Sequence, residues 1–205
     1  MPMTGPRSTA GVSGRMRAQQ LTAVDPAAAL TVARRISDPW YRCQALTSIA
    51  RTAPDKDSAQ AFREARAAAA EASDDYRRTA VLAGTIAAAH ARGERALAHR
   101  ILQEALGRIP RVEPANSRAY ALHRIWEAAF ACDEQMRHEV IDCALAHCDP
   151  NRGWRTERLY RDMVEMLAWD RPDRAAALIA AMRPGKAKDR VARRRARGER
   201  RPPRR

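Results

Sequence analysis

Residues 73–110, SDDYRRTAVLAGTIAAAHARGERALAHRILQEALGRIP, contain one complete unit of the fold. Ser73-Asp74-Asp75 supplies side-chain acceptors for the free N–H groups of a helix start. An Ala- and Leu-rich run follows and ends at Gly93. Glu94 opens a second helix that reaches Ile109, and Pro110 stops it because its ring cannot continue a helix. The first of these helices carries Arg78 and, four residues on, Leu82. The same Arg-x3-Leu spacing recurs at Arg42/Leu46, Arg118/Leu122 and Arg155/Leu159, with 36, 40 and 37 residues between successive leucines. Recurrence near one period marks repeated supersecondary units, and a period of this size is one turn of a helical solenoid. Such an array has no built-in chemistry; it is a surface that holds something.

Composition agrees with that reading. Gly is sparse, aromatic residues make up 5%, and Ala occurs in runs such as Ala67 to Ala70. Ala is the strongest helix former, and no stretch alternates with the period of a strand, so the fold class is all-α. Ala buries little area per side chain, so stability rests on many close helix contacts rather than a few large anchors.

The net charge of +14 is unevenly placed. Residues 184–205 hold eleven Lys and Arg against Asp189 and Glu199, a local +9, and residues 1–24 hold three Arg and no acid. The span 25–183 has 24 basic and 22 acidic residues and is nearly neutral. The basic character therefore belongs to the ends. No apolar run is long enough for a membrane span, and the first twenty residues lack the hydrophobic core of a secretory signal. Cys43, Cys132, Cys143 and Cys148 show no CxxC pairing and read as reduced thiols of a cytoplasmic protein.

Along the chain, residues 1–24 are rich in Gly, Ser, Pro and Arg and are expected to form a disordered basic segment. Patterning begins at Asp25-Pro26, an N-cap with Pro at the first helical position. About nine helices follow over 25–183, punctuated by Asp38-Pro39, Pro54, Ser73-Asp74-Asp75, Gly93, Pro110, Asp133, Asp149-Pro150 and Pro172, with Pro184-Gly185 after the last. Connections of two to five residues make neighbouring helices antiparallel. Residues 184–205 are expected to be an Arg-rich tail, disordered or partly helical.

Gly93, Ala98, Leu102, Ala105 and Pro110 reproduce the second-helix signature of the tetratricopeptide repeat, and Leu82 falls where that family places its first-helix anchor. Over roughly residues 38–183 the chain resembles a divergent member, with Ile86 and Trp126 where the family usually has Gly, and Asp133 and His138 in place of its Gly and Ala. The resemblance implies a right-handed solenoid of helical hairpins in which the first helix of each hairpin lines the concave surface. Carried over by position, the groove residues would be Gln44, Thr47, Arg51, Tyr120, His123, Glu127 and Tyr160. Ala80, Ala83 and Ala87 would form the middle of a shallow trough suited to a helix or an extended peptide. The repeated Lys/Asn arrangement by which chaperone-binding members clamp a terminal carboxylate is missing.

Further features of the sequence bear on chemistry. The row Arg42, Arg78, Arg118 and Arg155 has the spacing of a cationic rail, but each sits at a helix start and reads better as a structural polar contact. Cys132, His138, Cys143, His147 and Cys148 lack the tight-turn spacing of a structural zinc site and read as packed thiols and surface imidazoles. No phosphate loop, dinucleotide turn, HExxH or nucleophile elbow occurs, so neither an enzyme nor a cofactor is expected. The tail residues Arg190, Arg193, Arg194, Arg195, Arg197, Arg200 and Arg201 form either a polyanion-binding stretch or a solvated extension; with no aromatic among them they offer no stacking platform. The ninth helix is followed directly by Pro-Gly, so a seam of Leu178, Ile179 and Met182 is expected to stay uncapped and to serve as a homodimer contact. The expected function is a non-catalytic protein-interaction scaffold that binds a peptide or helix in its groove. The alternative is a nucleic-acid- or ribosome-associated accessory tethered by the tail.

Overall fold

A computed structural model describes residues 9–167 and 171–196. Every regular element among them is helical: α1 (Thr9–Thr22), α2 (Pro26–Arg34), α3 (Pro39–Thr52), α4 (Asp55–Ala70), α5 (Asp75–Ala80), α6 (Leu82–Ala91), α7 (Arg95–Leu106), a 3₁₀ turn (Ile109–Arg111), α8 (Ala115–Phe130), α9 (Glu134–His147), α10 (Trp154–Leu167), α11 (Pro172–Ala181) and α12 (Lys186–Ala196). No helix of the described residues is long and apolar enough to cross a membrane. The nine expected helices correspond to α2 through α11. Here α5 and α6 are two parts of one helix, because Val81 between them keeps helical dihedrals and its N–H still reaches Arg77 O at 3.2 Å.

The punctuation works through identifiable bonds. Asp25, Asp38, Asp74 and Asp133 each accept a hydrogen bond from a backbone N–H of the first turn they cap. Gly93, at φ +80°, takes the left-handed conformation that closes α6. Its N–H donates to His90 O and that of Glu94 to Ala89 O, the double bond of a Schellman cap.

The helices pair as α1 with α2, α3 with α4, α6 with α7, α8 with α9 and α10 with α11. The first helix of each pair also packs on the first helix of the next, giving the succession α1, α3, α5–α6, α8, α10, α12. The four recurring leucines, Leu46, Leu82, Leu122 and Leu159, are all buried in one continuous core that is rich in Ala. The second helices are linked by polar pairs one unit apart: Arg34–Glu64 at 2.7 Å, Arg66–Glu104 at 3.0 Å, Gln103–Glu139 at 2.9 Å and Arg174–Asp142 at 2.9 Å. Glu64 is held below the ordinary carboxylate range by its hydrogen bonds to Arg34, against a smaller opposing effect of burial.

Both ends correct the sequence reading. The expectation of a disordered segment over 1–24 fails for residues 9–22, which form α1 and pack on α2 and α3. The reason lies in the residues that suggested disorder. A Cβ on Gly11 would come within 2.5 Å of Tyr41 Cδ2, and one on Gly14 within 3.0 Å of Ile36 Cγ1, so glycine is what lets α1 approach so closely. Ala18 on the same face is fully buried. At the other end, the seam expected to be uncapped is covered. The helix α12 packs on α10 and α11, and Leu178, Met182 and Val191 are buried together with Ile179 partly buried against them, so most of the apolar surface offered for a homodimer contact is covered. Of the tail residues, Arg190 and Arg193 are exposed on α12, Arg194 and Arg195 belong to that helix, and Arg197, Arg200 and Arg201 lie outside the described residues.

Candidate interaction groove

Counting from the recurring leucine makes the face of each first helix explicit. Positions two before, two after and five after the leucine lie on one face, because residues four and three apart are neighbours on a helix. In α3 these are Gln44, Ser48 and Arg51; in α5–α6, Ala80, Gly84 and Ala87; in α8, Tyr120, Arg124 and Glu127. A groove of about 690 Å³ runs over this face and is lined by all three residues of α3, all three of α5–α6, and Arg124. Arg15 and Gln19 of α1, Trp40 at the start of α3 and His90 at the end of α6 complete its rim.

Of the expected groove residues, Gln44, Thr47 and Arg51 line it, as do Ala80 and Ala87. The others need correction. Tyr160 is buried, and its hydroxyl donates to Ala144 O at 3.1 Å; burial pushes its ionisation well above the ordinary phenol range. His123 is also buried, with Nε2 at 2.9 Å from Asp162 Oδ2. Glu127 is exposed, pairs with Arg124 at 2.8 Å and does not line the groove. Ala83 is buried as well.

One physical reason covers Ala83, His123 and Tyr160. They stand one residue after the recurring leucine, and in these three helices that position is turned toward the neighbouring helices rather than toward the trough, whereas Thr47 in α3 reaches both. The same position holds Thr47, whose hydroxyl shares a 2.8 Å hydrogen bond with Thr85 of α6. Thr85 and Asp162 both stand three residues after their own leucine, so Thr47–Thr85 and His123–Asp162 are equivalent bonds between consecutive units. The sequence reading lacks Arg15, Gln19, Trp40 and His90 on the rim and, on the repeating face itself, Ser48, Gly84 and Arg124. The signal for these last three was present, one helical turn beyond Gln44, Ala80 and Tyr120.

The arginine row is structural in three of its four members. Arg42 donates to Ile36 O at 2.9 Å, Arg78 to Ala72 O at 2.9 Å and Arg118 to Val112 O at 3.1 Å, each to the carbonyl six residues upstream. Each guanidinium thereby ties its helix to the turn that leads into it, and Arg42 and Arg118 also pair with Glu71 and Glu113. Lys188 repeats the contact on Met182 O at 3.1 Å in α12. Arg155 departs from the pattern and lies over the rings of Tyr120 at 5.5 Å and Trp154 at 5.3 Å. Tyr120 stacks on Tyr76 at 6.1 Å and Tyr76 on Trp40 at 6.4 Å, so an aromatic row crosses the starts of α3, α5 and α8 beside the groove.

Comparison of the chain with known protein families, curated proteins and solved structures gives no match in any of the three.

Burial raises Cys43, Cys132 and Cys148 to about 11 and Cys143 to about 12, which favours the protonated thiol and makes these cysteines weak nucleophiles at neutral pH. His138 accepts from Arg171 at 2.6 Å and His99 pairs with Asp133 at 3.2 Å. Among the described residues no three His, Cys, Asp or Glu side chains converge as a metal site would need.

Proposed function

We propose that this chain is a tetratricopeptide-like solenoid of helical hairpins, capped by α12, and that it acts as a non-catalytic scaffold receiving a peptide or helix in the groove over α3, α5–α6 and α8. The observation that carries the proposal is the recurrence of one set of positions through the units. The leucine is buried, the residue after it contacts the neighbouring unit, and the residues two before, two after and five after it line one trough in α3 and α5–α6, joined there by Arg124 of α8. Arrays of this kind offer extended concave surfaces because each unit is rotated slightly against the last. The test is photocrosslinking in the native cell from a benzoylphenylalanine placed at Ser48. A discrete protein adduct, lost when the crosslinker stands at exposed Ala67 on α4, supports the scaffold; no adduct from Ser48 argues against it.

A second reading is supported by α12, where Val191 packs inward while Arg190 and Arg193 face solvent. An exposed cationic helix neutralises phosphates without reading sequence. Removing residues 184–205 would also remove the cap, so the clean test is Arg190→Gln with Arg193→Gln in the full chain. A flattened salt dependence of oligonucleotide binding supports tethering, and an unchanged one removes it.

A further inference from the structure

The groove has a composition that selects among peptides. The stretch contributed by α5–α6 before His90 is Ala80, Val81, Gly84, Ala87 and Ala88, with no side-chain hydrogen-bonding group, while Gln44, Thr47 and Ser48 line the α3 side. An extended peptide laid there would find side-chain partners only along its α3 edge, and each backbone N–H or C=O left buried without one costs about 1–3 kcal/mol. A helix satisfies its own backbone, and a floor of small residues lets it approach closely. The rim carries Arg15, Arg51 and Arg124 together with His90, and no Asp or Glu lines the groove. Among the described residues Arg15 and Arg51 make no ion pair; Arg15 donates only to the neutral Gln44 amide, at 2.6 Å. Arg124 is partly neutralised by Glu127. The body of the chain is nearly neutral, so this local excess of positive charge does not follow from overall composition.

We infer that the occupant of the groove is an amphipathic α-helix with a stripe of small or medium apolar side chains flanked by Asp and Glu. This rests on the groove reading above and adds the ligand's chemistry to it. Methyl groups of the stripe meet the Ala/Gly floor, and the flanking carboxylates accept hydrogen bonds from Arg15 and Arg51 on one side and Arg124 on the other. The aromatic row reads less well as a nucleic-acid platform, because Asp38, Asp74, Asp75 and Glu113 stand at the same helix starts and oppose a phosphate backbone.

The test uses the full chain and three fluorescein-labelled sixteen-residue helical peptides with one Ala/Leu stripe and flanks of Glu, Gln or Lys, alongside a fifteen-nucleotide single-stranded oligothymidine, with binding read by anisotropy. Gly84→Phe fills the trough, and Arg51→Glu with Arg124→Gln removes rim charge; both leave the basic C-terminal residues unchanged. The expected result is saturable binding of the Glu helix, at least tenfold weaker binding of the Gln helix and none of the Lys helix. Gly84→Phe should abolish binding, and the double variant should weaken the Glu helix at least tenfold. Equal binding of the Glu and Gln helices, sensitive to Gly84→Phe, overturns the acidic selection while leaving the groove reading intact. Binding of the Glu helix that survives Gly84→Phe places it on the basic ends and overturns the inference, as does failure of all three helices to bind. Stronger binding of the oligonucleotide that is lost with the rim arginines also overturns it, in favour of a nucleic-acid ligand.

Discussion

Replacing Gly11 by Val tests whether α1 docks as closely as its glycines imply. The Cβ alone would stand 2.5 Å from Tyr41 Cδ2 and 3.1 Å from Tyr41 Cγ, well inside ordinary contact. The clash is with the root of the ring, so rotating the tyrosine about its own axis does not relieve it. Overpacking of this kind costs about 1–3 kcal/mol. Opposing it, Val is a better helix former than Gly by a few tenths of a kcal/mol. Overpacking wins, and α1 is expected to lose about 1–2.5 kcal/mol of docking free energy. The neighbouring Ser13 is exposed, so Ser13→Val changes side-chain character without a clash and is expected to stay within about 0.5 kcal/mol of the parent. The assay is the initial rate of tryptic cleavage after Arg15 and Arg17, followed by mass spectrometry. Where opening is fast relative to cleavage the rate tracks the population of the undocked helix, so Gly11→Val should accelerate cleavage about 5- to 70-fold and Ser13→Val should leave it nearly unchanged. Equal rates for the two variants would refute the close packing of α1 on α3.

Three other outcomes are expected. Gly84 is exposed within α6, and a Cβ there would meet Thr47 Cγ2 at an ordinary 3.8 Å, so Gly84→Ala should gain about 0.5–1 kcal/mol from helix propensity and raise the melting temperature by about 1–4 °C. His123→Ala removes one partner of the buried Asp162 carboxylate; Arg158 and Arg161 lie 3.6 Å away and compensate in part, so the loss in urea denaturation should be near the low end of about 3–5 kcal/mol, with His123→Leu/Asp162→Leu recovering part of it. The buried thiols, raised from the ordinary 9.0 to about 11–12, bind their protons more tightly folded than unfolded; their contribution is complete below about pH 9 and is lost as the pH rises through about 11, so the urea midpoint should fall from pH 8 to pH 10.5, and a chain with Cys43 and Cys143 replaced by Ala should show a smaller fall.

The sequence carried its helices through strong local signals. Asp-Pro starts, Gly93 and the recurring leucines each act over a few residues, and each leaves a mark that can be read without the fold. What it hid depends on contacts between units. The helix α1 is held by Gly11, Gly14 and Ala18, and a face of small residues has no hydrophobic period and looks like a linker. The cap α12 buries Val191 amid a run of basic residues, too sparse an apolar pattern to stand out. His123 and Tyr160 were placed on the trough because position alone does not say that the residue after each leucine is turned toward neighbouring helices. In the groove, two of the three positions on each first-helix face were legible, the ones two before and five after the leucine. Gly84 and Arg124 were missed because they required the helical turn between those positions to be filled in.

Hydrogen exchange of the full chain, measured peptide by peptide with and without the Glu-flanked helix, tests the central claim most directly. Protection at Gln44–Thr52, Ala80–Ala91 and Arg124–Ala131, with α4, α7 and α9 unchanged, is the expected result. Protection confined to α12, or to the outer faces of the second helices, would contradict it.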